Sequence, residues 1–187
     1  MITPFVVSSA RLARLSREDL IVDEDIPAPE SFGIDVLTVA PDEPIGVNVR
    51  ISATSDGILV NGRTWACATG ECARCLRPVN IELDRPIMEM VFSQDRREEL
   101  IAQGDEEAQD FFVLTDEGLD LEPLIRDALI LAMPLTPLCD PECQGLCQGC
   151  YERLDDLPAD HHHDYRNPDF AALDDLARLL GEENPDA

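Results

Sequence analysis

Six of the seven cysteines fall in two clusters. C-A-R-C supplies Cys72 and Cys75, and C-D-P-E-C-Q-G-L-C-Q-G-C supplies Cys139, Cys143, Cys147 and Cys150. Thiolates are soft ligands, and a structural zinc ion takes four of them in a tetrahedron, with Zn–S near 2.3 Å. A C-x-x-C turn lets two sulfurs reach one ion, so Cys72 with Cys75 and Cys147 with Cys150 predict a long-range clasp in which two turns share one zinc. The second cluster also offers a local site, with Cys139 and Cys143 as alternative ligands, and metal-free or redox-active thiols are a third reading. Four sulfurs would leave no position for water or substrate, so the expected zinc is structural. An odd count of cysteines fits a complete disulfide framework poorly. A thioredoxin-like role is disfavoured because neither C-x-x-C sits at a strand-to-helix junction of a βαβ unit.

Other residues with chemical potential read as ordinary. Cys67 stands apart from both turns and is expected to pack as a small buried hydrophobe. Adjacent histidines alternate faces on a strand and fan out on a helix, so His161, His162 and His163 read as a solvated loop. Trp65 beside Arg63 is placed in an alternating strand and is expected in the core, although base stacking is the functional alternative. Arg74 and Arg77 flank Cys75, where a rigid knuckle would present them to RNA. No hydrolase triad, phosphate-cradling glycine loop or dinucleotide fingerprint is present, and a non-enzymatic protein is expected.

Charge narrows the partners. The 187 residues carry a formal net charge of −25, which argues against nucleic acid over most of the surface. Residues 57–97 are the exception: Arg63, Arg74, Arg77, Arg85, Arg96 and Arg97 face only Glu71, Glu82, Asp84, Glu89 and Asp95. All fourteen cations are arginine. The N-terminus lacks the pattern of an export signal, and no apolar run spans a bilayer, so no membrane partner is expected.

The elements that must position these residues are legible in the periodicity. Residues 1–33 read as a loosely ordered lead-in. Ile45, Val47, Val49, Ile51 and Ala53 alternate with polar or small residues, Val79, Ile81 and Leu83 alternate again, and Asp56-Gly57 with Asn61-Gly62 offer turns. Residues 97–110 read as a solvated excursion with a short helix. Leu121, Leu124, Ile125, Ala128, Leu129 and Ala132 share one helical face, capped by Asp120 and stopped by Pro134, and a last helix is predicted from Pro168 to Gly181. The expectation is one α+β domain over residues 34–187: an antiparallel, partly barrel-like β-meander packed with C-terminal helices and joined to them by the Cys-rich metal knuckle, with clusters at 72–75 and 139–150.

The stretches GECARCLRPV (70–79), LEPLIRDALILAMPLTPLCDPECQGLCQGC (121–150) and DYRNPDFAALDDLARLL near the end resemble the bacterial YceD family, the large ribosomal RNA subunit accumulation proteins. The resemblance covers roughly residues 34–180. It implies a cytoplasmic, non-catalytic factor for accumulation of the large subunit and its ribosomal RNA, with ribosomal RNA or precursor particles as partners and no small-molecule substrate. An acidic adaptor that holds a basic ribosomal protein without touching RNA is the alternative. Family members commonly place glycine after the last cysteine, where this chain has Tyr151; a glycine there tolerates φ > 0.

Overall fold

The computed structural model describes residues 4–15, 18–30 and 32–163, together with Leu173 and Leu176. It is an α+β structure dominated by antiparallel sheet. The chain divides into two compact units, residues 1–139 and 140–187.

In the first unit a six-stranded sheet contains β2 (Leu20–Pro27), β3 (Phe32–Ile34), β4 (Leu37–Val39), β5 (Pro44–Ala53), β6 (Ile58–Glu71) and β7 (Pro78–Val91). A two-stranded ribbon pairs β1 (Val6–Ser8) with β8 (Gly118–Asp120). β6 is the spine of the sheet. One edge pairs with β7 along its whole length, from Ile58↔Val91 to Glu71↔Pro78, while β5 and β4 share the other edge. Beyond them β2 pairs with β5 and β3 with β4. Among the described residues no pairing joins β7 to β2 or β3, so the sheet is open, and barrel closure is not seen.

The alternation expected of β5 holds from Ile45 to Ile51, whose Ile45, Val47, Val49 and Ile51 are buried. Val60, Ala66 and Ala68 of β6 join them, as do Leu83, Ile87 and Val91 of β7. The segment expected as a loose lead-in supplies β1 and the edge strand β2, which makes eight register pairs with β5. Val22 and Ile26 are buried there, each contributing roughly 1.5–3 kcal/mol, whereas Asp23, Glu24 and Asp25 are exposed. Those carboxylates make the segment look disordered in sequence; on an edge strand they deter pairing with other chains.

Asp56-Gly57 closes the β5–β6 hairpin, with Thr54 Oγ1 donating to the Gly57 carbonyl at 3.0 Å. Asn61-Gly62, read as a second turn, instead runs through the middle of β6, opposite Arg50 and Val49. Gly62 is required there by close packing: a Cβ would lie 2.1 Å from the Asn48 carbonyl oxygen.

Among the described residues the first unit also holds the α-helices α1 (Ser9–Leu12), α2 (Gln94–Ala102) and α3 (Glu122–Ile130). The charged excursion thus holds α2, capped by Ser93 Oγ accepting from Arg96 N. α3 forms where periodicity placed it and buries Leu124, Ile125 and Leu129 against β6, β7 and β3. Asp120 Oδ1 accepts from Glu122 N at 3.0 Å, satisfying an otherwise orphaned amide of the first turn. Among the described residues no helix is long and apolar enough to cross a membrane. The helix predicted from Pro168 to Gly181 lies outside the described residues, apart from Leu173 and Leu176.

Candidate metal centres

The first centre sits at the tip of the β6–β7 hairpin. Glu71 and Pro78 are the last paired residues, and the six between them form a tight knuckle. Cys72 N donates to the Arg77 carbonyl at 2.7 Å, and Leu76 N donates to the Cys72 carbonyl at 3.0 Å. Leu76 closes the turn at φ 59°, a left-handed conformation that costs a branched residue roughly 1–2 kcal/mol. Cys72 and Cys75 are fully buried. Ala73 N donates to the Pro137 carbonyl at 2.8 Å, which brings the residues after α3 to the knuckle. Cys139 arrives on that segment, its sulfur 3.5 Å from that of Cys75. The sulfurs of Cys72, Cys75 and Cys139 lie within 4.8 Å of one another.

Burial pushes the Cys72 thiol up, but backbone N–H groups of Cys139, Cys75 and Arg74 and the Cys75 side chain outweigh it. Its pKa falls from 9.0 to about 6. A thiol held this way offers its charged form, the form that binds metal, at neutral pH.

The second centre belongs to the C-terminal unit. Cys147 N donates to the Glu152 carbonyl at 2.7 Å and Tyr151 N to the Cys147 carbonyl at 2.8 Å. Tyr151 has φ 60°, so the positive φ anticipated after Cys150 is adopted by a tyrosine. A bridge between Leu146 and Arg153 ties the two ends of the turn. The ligand atoms of Cys147, Cys150, His161 and His163 lie within 4.8 Å of one another, and Cys150 Sγ is 3.5 Å from His161 Nε2. Backbone N–H groups of Cys150 and Gly149 lower the Cys147 pKa to about 7 against the effect of burial, with His161 and the Cys150 side chain adding to them. Cys143 is also buried, in a turn where its N–H donates to the Asp140 carbonyl at 3.0 Å and Asp140 Oδ1 accepts from Glu142 N at 2.8 Å.

The structure therefore groups the expected ligands by neighbourhood. Cys72 and Cys75 meet Cys139, an alternative ligand in the sequence reading, while Cys147 and Cys150 meet two histidines that reading set aside. The signal for the histidines was present. Alternate residues of an extended chain share a face, so His161 and His163 project together while His162 turns its Nδ1 to the Asp160 carbonyl, 3.0 Å away. Of the two cations proposed from sequence, Arg74 is exposed at the knuckle and Arg77 is half-buried, its carbonyl engaged by Cys72.

Trp65 and Cys67, both expected inside, lie on the outer face of β6. Strand phase decides this: Val60, Thr64, Ala66 and Ala68 point inward, so the odd-numbered residues between them point outward. Trp65 remains 41% exposed and lies over Gly46, its partner in register, where a Cβ would sit 2.0 Å from the indole. A groove of about 510 Å³ surrounds it, lined in part by Asp25, Glu43, Cys67, Glu82 and Asp84.

The large ribosomal RNA subunit accumulation protein YceD family matches residues 60–177, which include both C-x-x-C turns. An uncharacterized protein of Mycobacterium tuberculosis is 31% identical over 182 residues, 97% of this chain and 84% of its own length. An uncharacterized protein of Mycobacterium leprae is 26% identical over 176 residues, 94% of this chain and 79% of its own. No solved structure matches. With knuckle, helix α3 and second cysteine cluster all inside the matched region, the chain belongs to the YceD family of large ribosomal RNA subunit accumulation proteins.

Proposed function

We propose that this protein is a cytoplasmic, non-catalytic factor that promotes accumulation of the large ribosomal subunit, contacting its ribosomal RNA or a precursor particle through the knuckle at the tip of the β6–β7 hairpin. The family match over residues 60–177 carries this reading. The knuckle lies within a stretch, residues 57–97, that escapes the acidic character, and Arg74 is exposed on it. Phosphate contacts by arginine favour a rigid support, because the planar guanidinium binds best when its position is fixed.

Rigidity is the proposed role of metal. Cys72, Cys75 and Cys139 fit zinc by donor type and by their mutual approach, and a fourth thiol would complete the tetrahedron. Zinc, when bound, crosslinks thiolates and leaves no open position for substrate. The chain's part is to present low-pKa sulfur at the knuckle and to hold the hairpin tip shut through the Cys72–Arg77 hydrogen bond.

Sedimentation tests the reading. The protein in a cell lysate is expected in fractions containing free or precursor large subunits and is expected to leave them after RNase treatment. A protein that remains at the top of the gradient in both cases sinks the RNA contact.

One observation favours a second reading, an acidic adaptor for a basic ribosomal protein. The Trp65 groove combines an exposed indole with carboxylates of four residues, which suits an arginine or lysine side chain through cation–π and ionic contact. This reading requires binding to an isolated basic ribosomal protein without RNA, abolished by salt.

A further inference from the structure

We infer that the C-terminal unit carries a metal centre of its own, a closed zinc site whose four ligands are Cys147, Cys150, His161 and His163. It depends neither on the ribosomal reading nor on the thiols of the first unit.

Two thiolates and two imidazoles are a donor set that zinc takes tetrahedrally. With Zn–S near 2.3 Å and Zn–N near 2.0–2.1 Å, sulfur and nitrogen bound to one ion stand about 3.5 Å apart. Cys150 Sγ and His161 Nε2 already have that separation, and all four ligand atoms fall within 4.8 Å. A lone Cys–His hydrogen bond accounts for that pair. It does not account for Cys147 and His163 converging on the same point.

The backbone is shaped for the same purpose. The Cys147 turn repeats, bond for bond, the one at Cys72: the first cysteine N–H donates five residues ahead, and the residue after the second cysteine donates back to the first. Both turns end in a non-glycine residue at positive φ, Leu76 and Tyr151. Such strain persists where surrounding interactions over-determine it. Gly149 supplies the opening for the imidazole: a Cβ there would lie 2.4 Å from His163 Cγ and 2.6 Å from its Cβ, too near the root of the side chain to be relieved by a small rotation. His161 is fixed from behind by its N–H donating to the Pro158 carbonyl at 2.9 Å.

The four ligands differ in accessibility. Cys147 is buried, Cys150 and His161 are half-buried and His163 is exposed. The ion would therefore be shielded on the sulfur side and approachable at His163, so a chelator should extract it faster than it extracts metal from the thiol centre.

The test uses the full-length chain purified with zinc, measured for metal content and by X-ray absorption at the zinc edge. Two zinc ions per chain are expected, with an average shell of three sulfurs and one nitrogen. The double variant His161→Ala/His163→Ala should fall to one zinc with an all-sulfur shell, and Cys72→Ser/Cys75→Ser to one zinc with two sulfurs and two nitrogens. A single zinc in an all-sulfur shell, unchanged by His161→Ala/His163→Ala, would overturn the inference in favour of the clasp of Cys72, Cys75, Cys147 and Cys150. Should a variant fail to fold, cobalt(II) titration of the metal-stripped wild type decides instead. Two cobalt equivalents with distinct all-sulfur and mixed sulfur–nitrogen absorption bands support the second centre, and one all-sulfur band, or no uptake, rules it out.

Discussion

Leu76 and Tyr151 hold the same backbone conformation, φ 59° and φ 60°, each one residue past the second cysteine of a C-x-x-C turn. In both turns that conformation folds the following chain back, so that the carbonyl of the next residue, Arg77 or Glu152, accepts from the N–H of the first cysteine at 2.7 Å. Neither residue is glycine, so each turn is held in a conformation that the chain alone disfavours.

Replacing the strained residue is the simplest check. Tyr151 is largely exposed, so Tyr151→Gly loses little packing and relieves about 1–2 kcal/mol of left-handed strain, against which glycine loses about 0.5–1 kcal/mol more backbone entropy. Denaturant unfolding should show stability raised by up to about 1.5 kcal/mol, whereas Tyr151→Val should lower it. A destabilising Tyr151→Gly would mean that the ring makes contacts outweighing the strain.

The thiol pKa values set a pH dependence for the metal-stripped protein. Cys72 titrates near 6 in the folded state against 9.0 as the ordinary value, and Cys147 near 7. Between those values and 9 the unfolded chain binds more protons than the folded one, so folding stability rises with pH across that window and is lost as pH falls through 7 and then 6. Thermal melts in chelator from pH 6 to 9 should show a rising Tm, and Cys72→Ser should flatten the rise. A Tm that falls with pH in that range would contradict the low thiol pKa values.

Trp65 is the only tryptophan, so its emission reports on the outer face of the sheet alone. Gly46→Ala must displace the indole and should shift that emission. Trp65→Ala should lower stability by about 1–3 kcal/mol, because more than half of the indole is covered. If the groove receives a basic partner, the same variant should weaken salt-sensitive binding to an isolated basic ribosomal protein at least tenfold. Unaltered binding would leave the groove without a role in recognition.

Charge reversal separates the two functional readings. Arg74→Glu combined with Arg77→Glu should reduce association with precursor particles while leaving zinc content unchanged, because neither side chain is a ligand. Loss of zinc in that variant, read by metal analysis, would show damage to the knuckle itself rather than to an RNA contact.

Periodicity made much of this architecture legible. The buried face from Ile45 to Ile51 and helix α3 both follow from the spacing of their apolar residues, although the residue at the helix cap is Leu121 and Asp120, one position earlier, accepts from Glu122 N. β2 was hidden because Asp23, Glu24 and Asp25 crowd its exposed face, while only Val22 and Ile26 mark the buried one. Residue type places Trp65 inside and strand phase places it outside; phase wins, and one register step separates it from the fully buried Thr64, whose hydroxyl donates to the Gly46 carbonyl at 2.9 Å. The grouping of ligands was hardest to read. Spacing identifies a C-x-x-C turn but not its companions, since those depend on where the Pro134–Pro137 segment and the chain after Pro158 return.

The turn around Cys147 also bears on the order of folding. Cys150 and His161 are 11 residues apart along the chain, whereas Cys75 and Cys139 are 64 apart. Loop closure costs about 1.5 kcal/mol more for the longer separation, and the long one must also wait for the β6–β7 hairpin and α3 to pack. The short ligand set can close while the rest of the chain is still a collapsed ensemble, so in the presence of zinc the C-terminal set should assemble first and the hairpin-tip set last.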